Sequence, residues 1–339
     1  TNSNIMYLAT GDGNAGDTRS IGVLKSLDGG LTWNTTGMTY PVTSNFSIRR
    51  LIINPSNTQI LLAATASGMY RTINGGLNWS VVASGNFYDA EFKPGDPNTV
   101  YIAGNSFRVS TNGGASFTTV STGITTGAQR MAIAVTPADA NYVYVLASSS
   151  ANSGFLGFYR STNSGTTFTQ MAASPNLLGW SSTGNDSGGQ GWYDLCVAAS
   201  PLNRDEVVTG GVNVWRTTDG GTSWSIYGHW TGNGAPFTHA DHHDLEYTAA
   251  GMLYNCNDGA VYRRVNTAWT DISGTMNIAQ IYKIGMSSLT ANMWITGHQD
   301  NGTSIWNGSI YNAEIGGDGM DCFFDRTNNQ NVFGSTQNG

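Results

Sequence analysis

The sequence predicts an all-β chain of repeated four-stranded antiparallel units, and three observations predict it. One short pattern of turn residues recurs five times along the 339 residues. Each recurrence closes a set of short apolar strands separated by Gly, Asn, Asp and Pro. No stretch of useful length carries the 3.6-residue apolar period of an amphipathic helix.

The recurring stretches are KSLDGGLTWNTT (25–36), RTINGGLNWSVV (71–82), VSTNGGASFTTV (109–120), RSTNSGTTFTQM (160–171) and RTTDGGTSWSIY (216–227). Asp28, Asn74, Asn112, Asn163 and Asp219 occupy the same place in the pattern, 46, 38, 51 and 56 residues apart. Asp or Asn followed by glycine supplies the positive φ that a tight hairpin turn requires. The Ser/Thr and Asp/Asn side chains can bond back to turn amides. The aromatic residue three places after the second glycine, Trp33 and Trp224 among them, is expected to be a buried anchor.

Two further strands precede each turn strand, as in RRLIINP, QILLAAT and MYRT. Second strands are expected at 5–10, 60–65, 99–104, 141–147, 206–210, 252–256, 293–297 and 331–336. Four strands per unit at this period describe the blades of a β-propeller, about seven in number. The whole of 1–339 reads as a single propeller. It opens just before a second strand and closes just after one. Either the two ends complete a blade between them, or the native chain continues with further blades or a sorting domain; the absent first strand and abrupt ending favour continuation.

Composition agrees with an extracellular β-protein. Only 11% of residues are charged, 44 are Gly, and Lys occurs only at Lys25, Lys93 and Lys283. Apolar residues at 39%, with ten Trp, suffice for a large core. The net charge of −7 and the absence of any basic run argue against a nucleic-acid partner. No apolar run is long enough to span a membrane. Cys196, Cys256 and Cys322 lie in apolar runs without the spacing of a disulfide framework or a zinc motif, and read as small buried hydrophobes.

The turn pattern resembles the Asp-box (BNR) repeat of bacterial sialidases, of the xyloglucan-cleaving tandem propellers of glycoside hydrolase family 74, and of sortilin-type propellers. The resemblance covers the whole chain. It is nearest to secreted, sortilin-like bacterial Asp-box proteins, many of which carry a type IX secretion tail that is not in this sequence. The stretches HADHHDL, NDGAVYR, GHQDNGT, GGDGMD and GSTQNG carry that nearer resemblance. It implies a secreted or cell-surface location. It does not imply a sialidase, because Arg49 and Arg50 in FSIRRLII lack the arginine motif of that family. The catalytic carboxylates of family 74 have no recognisable counterpart, so the resemblance extends to the fold.

The densest polar stretch is HADHHDLEY at 239–247, with three of the chain's five histidines. It opens a first strand. In a propeller, fourth-to-first and second-to-third connections share the face that usually holds the ligand, whereas the repeated turns lie on the other face and are expected to be structural. Asp12, Asp258, His298, Asp300 and Asp318 fall in connections of the ligand-side face. If 239–244 is extended, His239, Asp241 and His243 point to one side, and His242 and Asp244 to the other.

Three readings follow. A buried hydrogen-bond network could tie neighbouring blades together. His239, Asp241 and His243 could hold a divalent metal, and the Asp and Asn oxygens of TGDGNAGD, NDG and QDN could hold Ca²⁺. Asp241, Asp244, Asp258, Asp300 and Asp318 are candidate catalytic carboxylates for a glycoside hydrolase. Trp180, Trp192 and Trp230 in long connections, with His242 and His298, are candidate ligand-binding residues. The leading functional expectation is a module that binds a glycan or an extracellular protein; the alternative is a hydrolase acting on a polysaccharide.

Overall fold

The structure is a computed structural model that describes residues 2–14, 16, 18–274, 276 and 279–337. The fold class is that of a β-propeller with four-stranded antiparallel blades, about seven in number. All eight expected second strands are present, from Met6–Ala9 to Val332–Thr336. The chain falls into two compact units.

The first unit is residues 1–257 and 261–270. It holds a three-stranded sheet (Met6–Ala9, Gly22–Ser26, Asn34–Thr39) and four-stranded sheets over 48–84, 87–120, 128–172, 196–228 and 242–271. Strands within each sheet follow chain order. The first strands of successive sheets, Ile48–Ile53, Phe87–Lys93, Ala128–Val135, Cys196–Ala199 and His242–Tyr247, lie against one another in sequence. The apolar cores sit between neighbouring sheets. One such core combines Leu62, Met69, Phe87 and Ile102; another combines Tyr144, Phe158, Leu195 and Trp215.

The second unit, 258–260 and 271–339, holds a four-stranded sheet over 281–315 and the hairpin Gly319–Phe324/Val332–Thr336. Its small core is Ile295, Ile305, Cys322 and Phe324.

Each repeated turn satisfies its own polar groups. In the first, Ser26 Oγ accepts from the Gly30 N–H at 2.9 Å and donates to Asp28 Oδ1 at 2.7 Å, while Asp28 also accepts from the Thr32 N–H at 2.9 Å. The same bonds recur through Thr72/Asn74, Ser110/Asn112, Ser161/Asn163 and Thr217/Asp219. Gly30, Gly76, Gly114, Gly165 and Gly221 all adopt positive φ, which is why glycine recurs there. Trp33, Trp79 and Trp224 donate their indole N–H to the carbonyl of that glycine, at 3.0–3.1 Å.

Cations of one sheet reach turns of the next. Lys25 Nζ donates to Gly75 O, Arg71 Nε to Gly113 O and Lys93 Nζ to Ser164 Oγ. Trp33 and Trp224 are half-buried rather than buried, because the turn lies at the rim of its sheet; among the five aromatic anchors Phe168 alone is buried.

Candidate functional site

The first strands of five successive sheets in the first unit enclose a cavity of about 340 Å³. Four of the strands bring polar side chains to it: Arg49 and Arg50, then Tyr88, Asp89 and Glu91, then Arg130, then, across the apolar strand that begins at Cys196, His243, Asp244 and Glu246. Asn14, from the connection after Met6–Ala9, joins them. The pleat and its breaks allow this. Alternate residues of an inner strand face opposite sides, and register shifts between Ile48 and Arg50, Phe87 and Asp89, and His242 and Asp244 break that alternation, so that adjacent residues reach the cavity.

Arg50 organises the charges. Its guanidinium donates to Glu91 at 2.5 Å and lies 3.5 Å from Asp89. Burial alone would lower Arg50, but the Asp89, Glu91 and Asp244 carboxylates outweigh it and hold the group firmly charged. Burial pushes the Glu91 carboxyl up to about 7, against the pull of Arg50. Asp244 is open to water within the cavity yet surrounded by protein; that surrounding raises it, and it raises Glu246 in turn after burial itself. Tyr88 is flanked by two further guanidinium groups, Arg49 at 3.7 Å and Arg130 at 5.0 Å from its ring centre. Arg130 is buried and donates to the carbonyls of Trp192, Tyr193 and Leu195.

The stretch 239–247 meets this cavity, but not with the alternation expected of an extended run. Asp241 has φ +62°, and the strand begins only at His242. A register shift between His242 and Asp244 adds a bulge. The expected grouping of His239, Asp241 and His243 on one side is therefore corrected: the left-handed residue and the bulge break the two-residue period. His242 is fully buried, and its Nδ1 donates to Gly211 O at 2.6 Å, which fixes the proton on that nitrogen. His243 turns to the cavity, accepts from the Asn14 amide at 3.0 Å and meets the Tyr193 ring edge-on. His239 Nδ1 approaches Ala240 O at 3.2 Å.

Asp241 accepts from Gln190 Nε2 at 2.9 Å and lies beside buried Asp194. Burial first, and the Asp241 charge second, push the Asp194 carboxyl well above its usual range. Among the described residues no three His, Cys, Asp or Glu side chains gather as a metal-holding group. In the TGDGNAGD connection, Asp12 accepts from the Asn14 and Gly16 N–H groups, and Asp17 lies outside the described residues.

Of the candidate carboxylates, Asp244 lines the cavity and Asp241 stands just before the same strand. Asp258, Asp300 and Asp318 belong to the second unit. There Asp318 accepts from the Asp300 N–H at 2.8 Å, and Asn301 donates to Asp258 O. His298, in the same unit, is buried beside Thr296 Oγ1 at 2.8 Å, and burial lowers it. Trp180, Trp192 and Trp230 are each 43–46% exposed. Trp192 leads toward the cavity through Tyr193, 5.4 Å from it ring to ring.

Sequence reasoning missed Arg50, Asp89, Glu91, Arg130, Asp194 and Glu246 as a group. A signal was present. In a chain with 11% charged residues, a charge inside an apolar first strand is rare, and FSIRRLII, FYDAEFK, AQRMAIAV and HHDLEY each carry one or more.

No helix among the described residues is long and apolar enough to cross a membrane. No family model matches the chain. A stretch is 35% identical over 86 residues to a xyloglucanase from Paenibacillus sp., spanning 23% of this chain and 8% of that protein. The solved GH74 xyloglucanase from Xanthomonas campestris is similar over 94% of this chain and 53% of its own, with a TM-score of 0.65 and 13% identity. An extracellular domain of a one component system from B. thetaiotaomicron is similar over 88% of this chain and 37% of its own, with a TM-score of 0.52 and 12% identity. The chain thus covers little more than half of that Xanthomonas enzyme, and its fold is that of the β-propellers found in GH74 xyloglucanases.

Proposed function

We propose that the protein is a glycan-binding propeller of a secreted or cell-surface protein, and that the cavity within the inner strands of the first unit holds the sugar. The observation that carries this reading is the mixture of groups there: charged donors from Arg49 and Arg50, acceptors on Glu91, Asp244 and Glu246, a two-way partner in His243, and the Tyr88 ring. A sugar presents hydroxyls that both donate and accept, over apolar C–H faces, and such a lining matches both. The likeness to xyloglucanases points to a polysaccharide ligand. The test is a panel of soluble polysaccharides, xyloglucan included, scored for binding to the wild-type chain and to Asp244→Asn and Glu246→Gln. Binding that survives both changes undiminished, or no binding at all, refutes the assignment.

A second reading, hydrolysis, is favoured by one observation. Burial raises the Glu91 carboxyl to about 7, and a carboxyl kept protonated near neutrality is what a general acid requires; burial moves Asp244 and Glu246 in the same direction. Release of reducing ends from the same panel, lost in Asp244→Asn with the fold intact, separates hydrolysis from binding alone.

A further inference from the structure

We infer that Trp180 and Trp230 form a second sugar-stacking subsite, for an uncharged glycan chain, on the connections 174–193 and 229–238 of the first unit and outside the lining of the cavity. This rests on the glycan-binding reading and extends it to a second place on the surface.

The two indoles stand on separate connections held together by one buried amide. Asn213, fully buried in a second-to-third turn, donates to Gly179 O and Trp180 O, both at 3.1 Å, and accepts from the Trp230 N–H at 3.3 Å. Buried His229 adds a second tie. Its Nδ1 accepts from the Thr231 N–H at 3.1 Å, so the proton sits on Nε2, which donates to Trp180 O at 3.3 Å. The His229 ring also lies stacked beside the Trp230 ring, 6.3 Å between centres. Asp186 fixes the other side of Trp180, accepting from its N–H at 2.5 Å and from the Ser181 N–H at 3.0 Å. The backbones that carry both indoles are thus immobilised by three side chains, while the indoles themselves stay 43% and 44% exposed.

That combination contrasts with the repeated turns. There, Trp33, Trp79 and Trp224 donate their indole N–H to a glycine carbonyl. On these two connections, neither Trp180 nor Trp230 donates its indole N–H to protein among the described residues, so each offers an apolar face and a donor to water. Large apolar rings left exposed to water on a fixed backbone are characteristic of a binding surface prepared in advance. The surroundings choose the ligand. The connections 174–193 and 229–238 contain no side chain that ionises near neutral pH except Asp186 and His229; His229 is bonded through both ring nitrogens and Asp186 accepts through Oδ2. Ser181, Ser182, Thr183 and Asn233 supply neutral hydroxyls and amides. A hydroxyl-rich, uncharged chain with apolar sugar faces fits; a polyanion would find no cation there.

The test uses the whole chain against xyloglucan, a mannan and polygalacturonate, by affinity electrophoresis and by quenching of tryptophan fluorescence. Trp180→Ala and Trp230→Ala, at exposed positions that leave folding intact, should each weaken binding of a neutral polysaccharide about tenfold. Asn213→Ala should do the same without losing any group that touches the ligand; its thermal midpoint shows whether the fold survives. Wild-type affinity in both tryptophan variants, with loss in Asp244→Asn, overturns the tryptophan subsite and leaves the cavity reading standing. Loss in the tryptophan variants with Asp244→Asn unaffected supports the subsite and refutes the cavity. A preference for polygalacturonate, or Trp-dependent binding of a protein and of no polysaccharide, overturns the ligand class.

Discussion

The carboxylates of the repeated turns and those of the inner strands are held in opposite ways. Asp28 and Asp219 sit in turns whose hydroxyls and amides point at them. Hydrogen bonds led by Thr32 lower Asp28 to about 2; in Asp219, burial works the other way and is outweighed by bonds from Ser223, Thr217 and Thr222, which again bring it to about 2. Glu91, Asp194, Asp244 and Glu246 are raised, and burial is the largest cause for each. The turns are therefore built around charge that is already satisfied, and the inner strands around charge that is incompletely compensated. Incomplete compensation is what a ligand can complete; a closed turn offers it nothing.

The largest effect expected on the turn side comes from packing. Phe168 is 6% exposed and meets Phe107 edge-on at 4.8 Å between ring centres. Phe168→Ala should cost about 3–5 kcal/mol by chemical denaturation and leave ligand affinity per folded molecule unchanged. Trp33→Ala, at a half-buried site, should cost less, about 1–2 kcal/mol. Equal costs for the two would show that the rim position of the turn does not govern its contribution.

On the inner-strand side the expected signature is a pH slope. The folded pKa of Glu91 lies above the unfolded value of 4.5, at about 7. Between those values the unfolded chain has released a proton that the folded chain still holds. Stability from this group is thus greatest below about pH 4.5 and declines as pH rises toward 7. Glu91→Gln should flatten the thermal midpoint over that window and raise stability at pH 8 relative to wild type by on the order of 1–2 kcal/mol, reduced by the hydrogen bond it weakens with Arg50. A midpoint that climbs from pH 5 to 7 in wild type and is flat in the variant would place the ionised form as the favoured one, and the same slope in both would show that Glu91 does not set it.

How far the sequence reveals each region follows from the range of the forces involved. The repeated turn is local: a hydroxyl, a carboxylate or amide and two glycines within a few residues satisfy one another, so its pattern and the strands around it are visible in the chain. The place of HADHHDLEY at the start of an inner strand was visible for the same reason. The direction of its side chains was not, because that depends on the left-handed Asp241 and the bulge beyond it. Arg50, Glu91 and Asp244 come from three sheets of the first unit, and their convergence depends on how those sheets pack rather than on any one segment. The burial of His242 against Gly211 is likewise set by a neighbouring sheet.

The smallest expected effect is the sharpest test of the contrast. Three of the five turns already carry Asn where the other two carry Asp, and Asn74, Asn112 and Asn163 accept through Oδ1 from the same Ser/Thr hydroxyl and the same amide four residues on. Asp219→Asn should therefore change stability at pH 7 by less than about 0.5 kcal/mol, within the range of a surface substitution. The difference should appear in acid. The folded pKa of Asp219 is depressed from 3.8 to about 2, so its ionised form contributes stability above pH 3.8 that is lost as pH falls through about 2. The Asn variant lacks that loss. Its thermal midpoint should decline less steeply than that of wild type between pH 4 and 2, while the opposite slope set by Glu91 between pH 4.5 and 7 remains in both. A variant destabilised at pH 7 by as much as wild type loses between pH 4 and 2 would show that the turn depends on the charge itself, and the distinction between closed turns and an unsatisfied interior would fail at its simplest point.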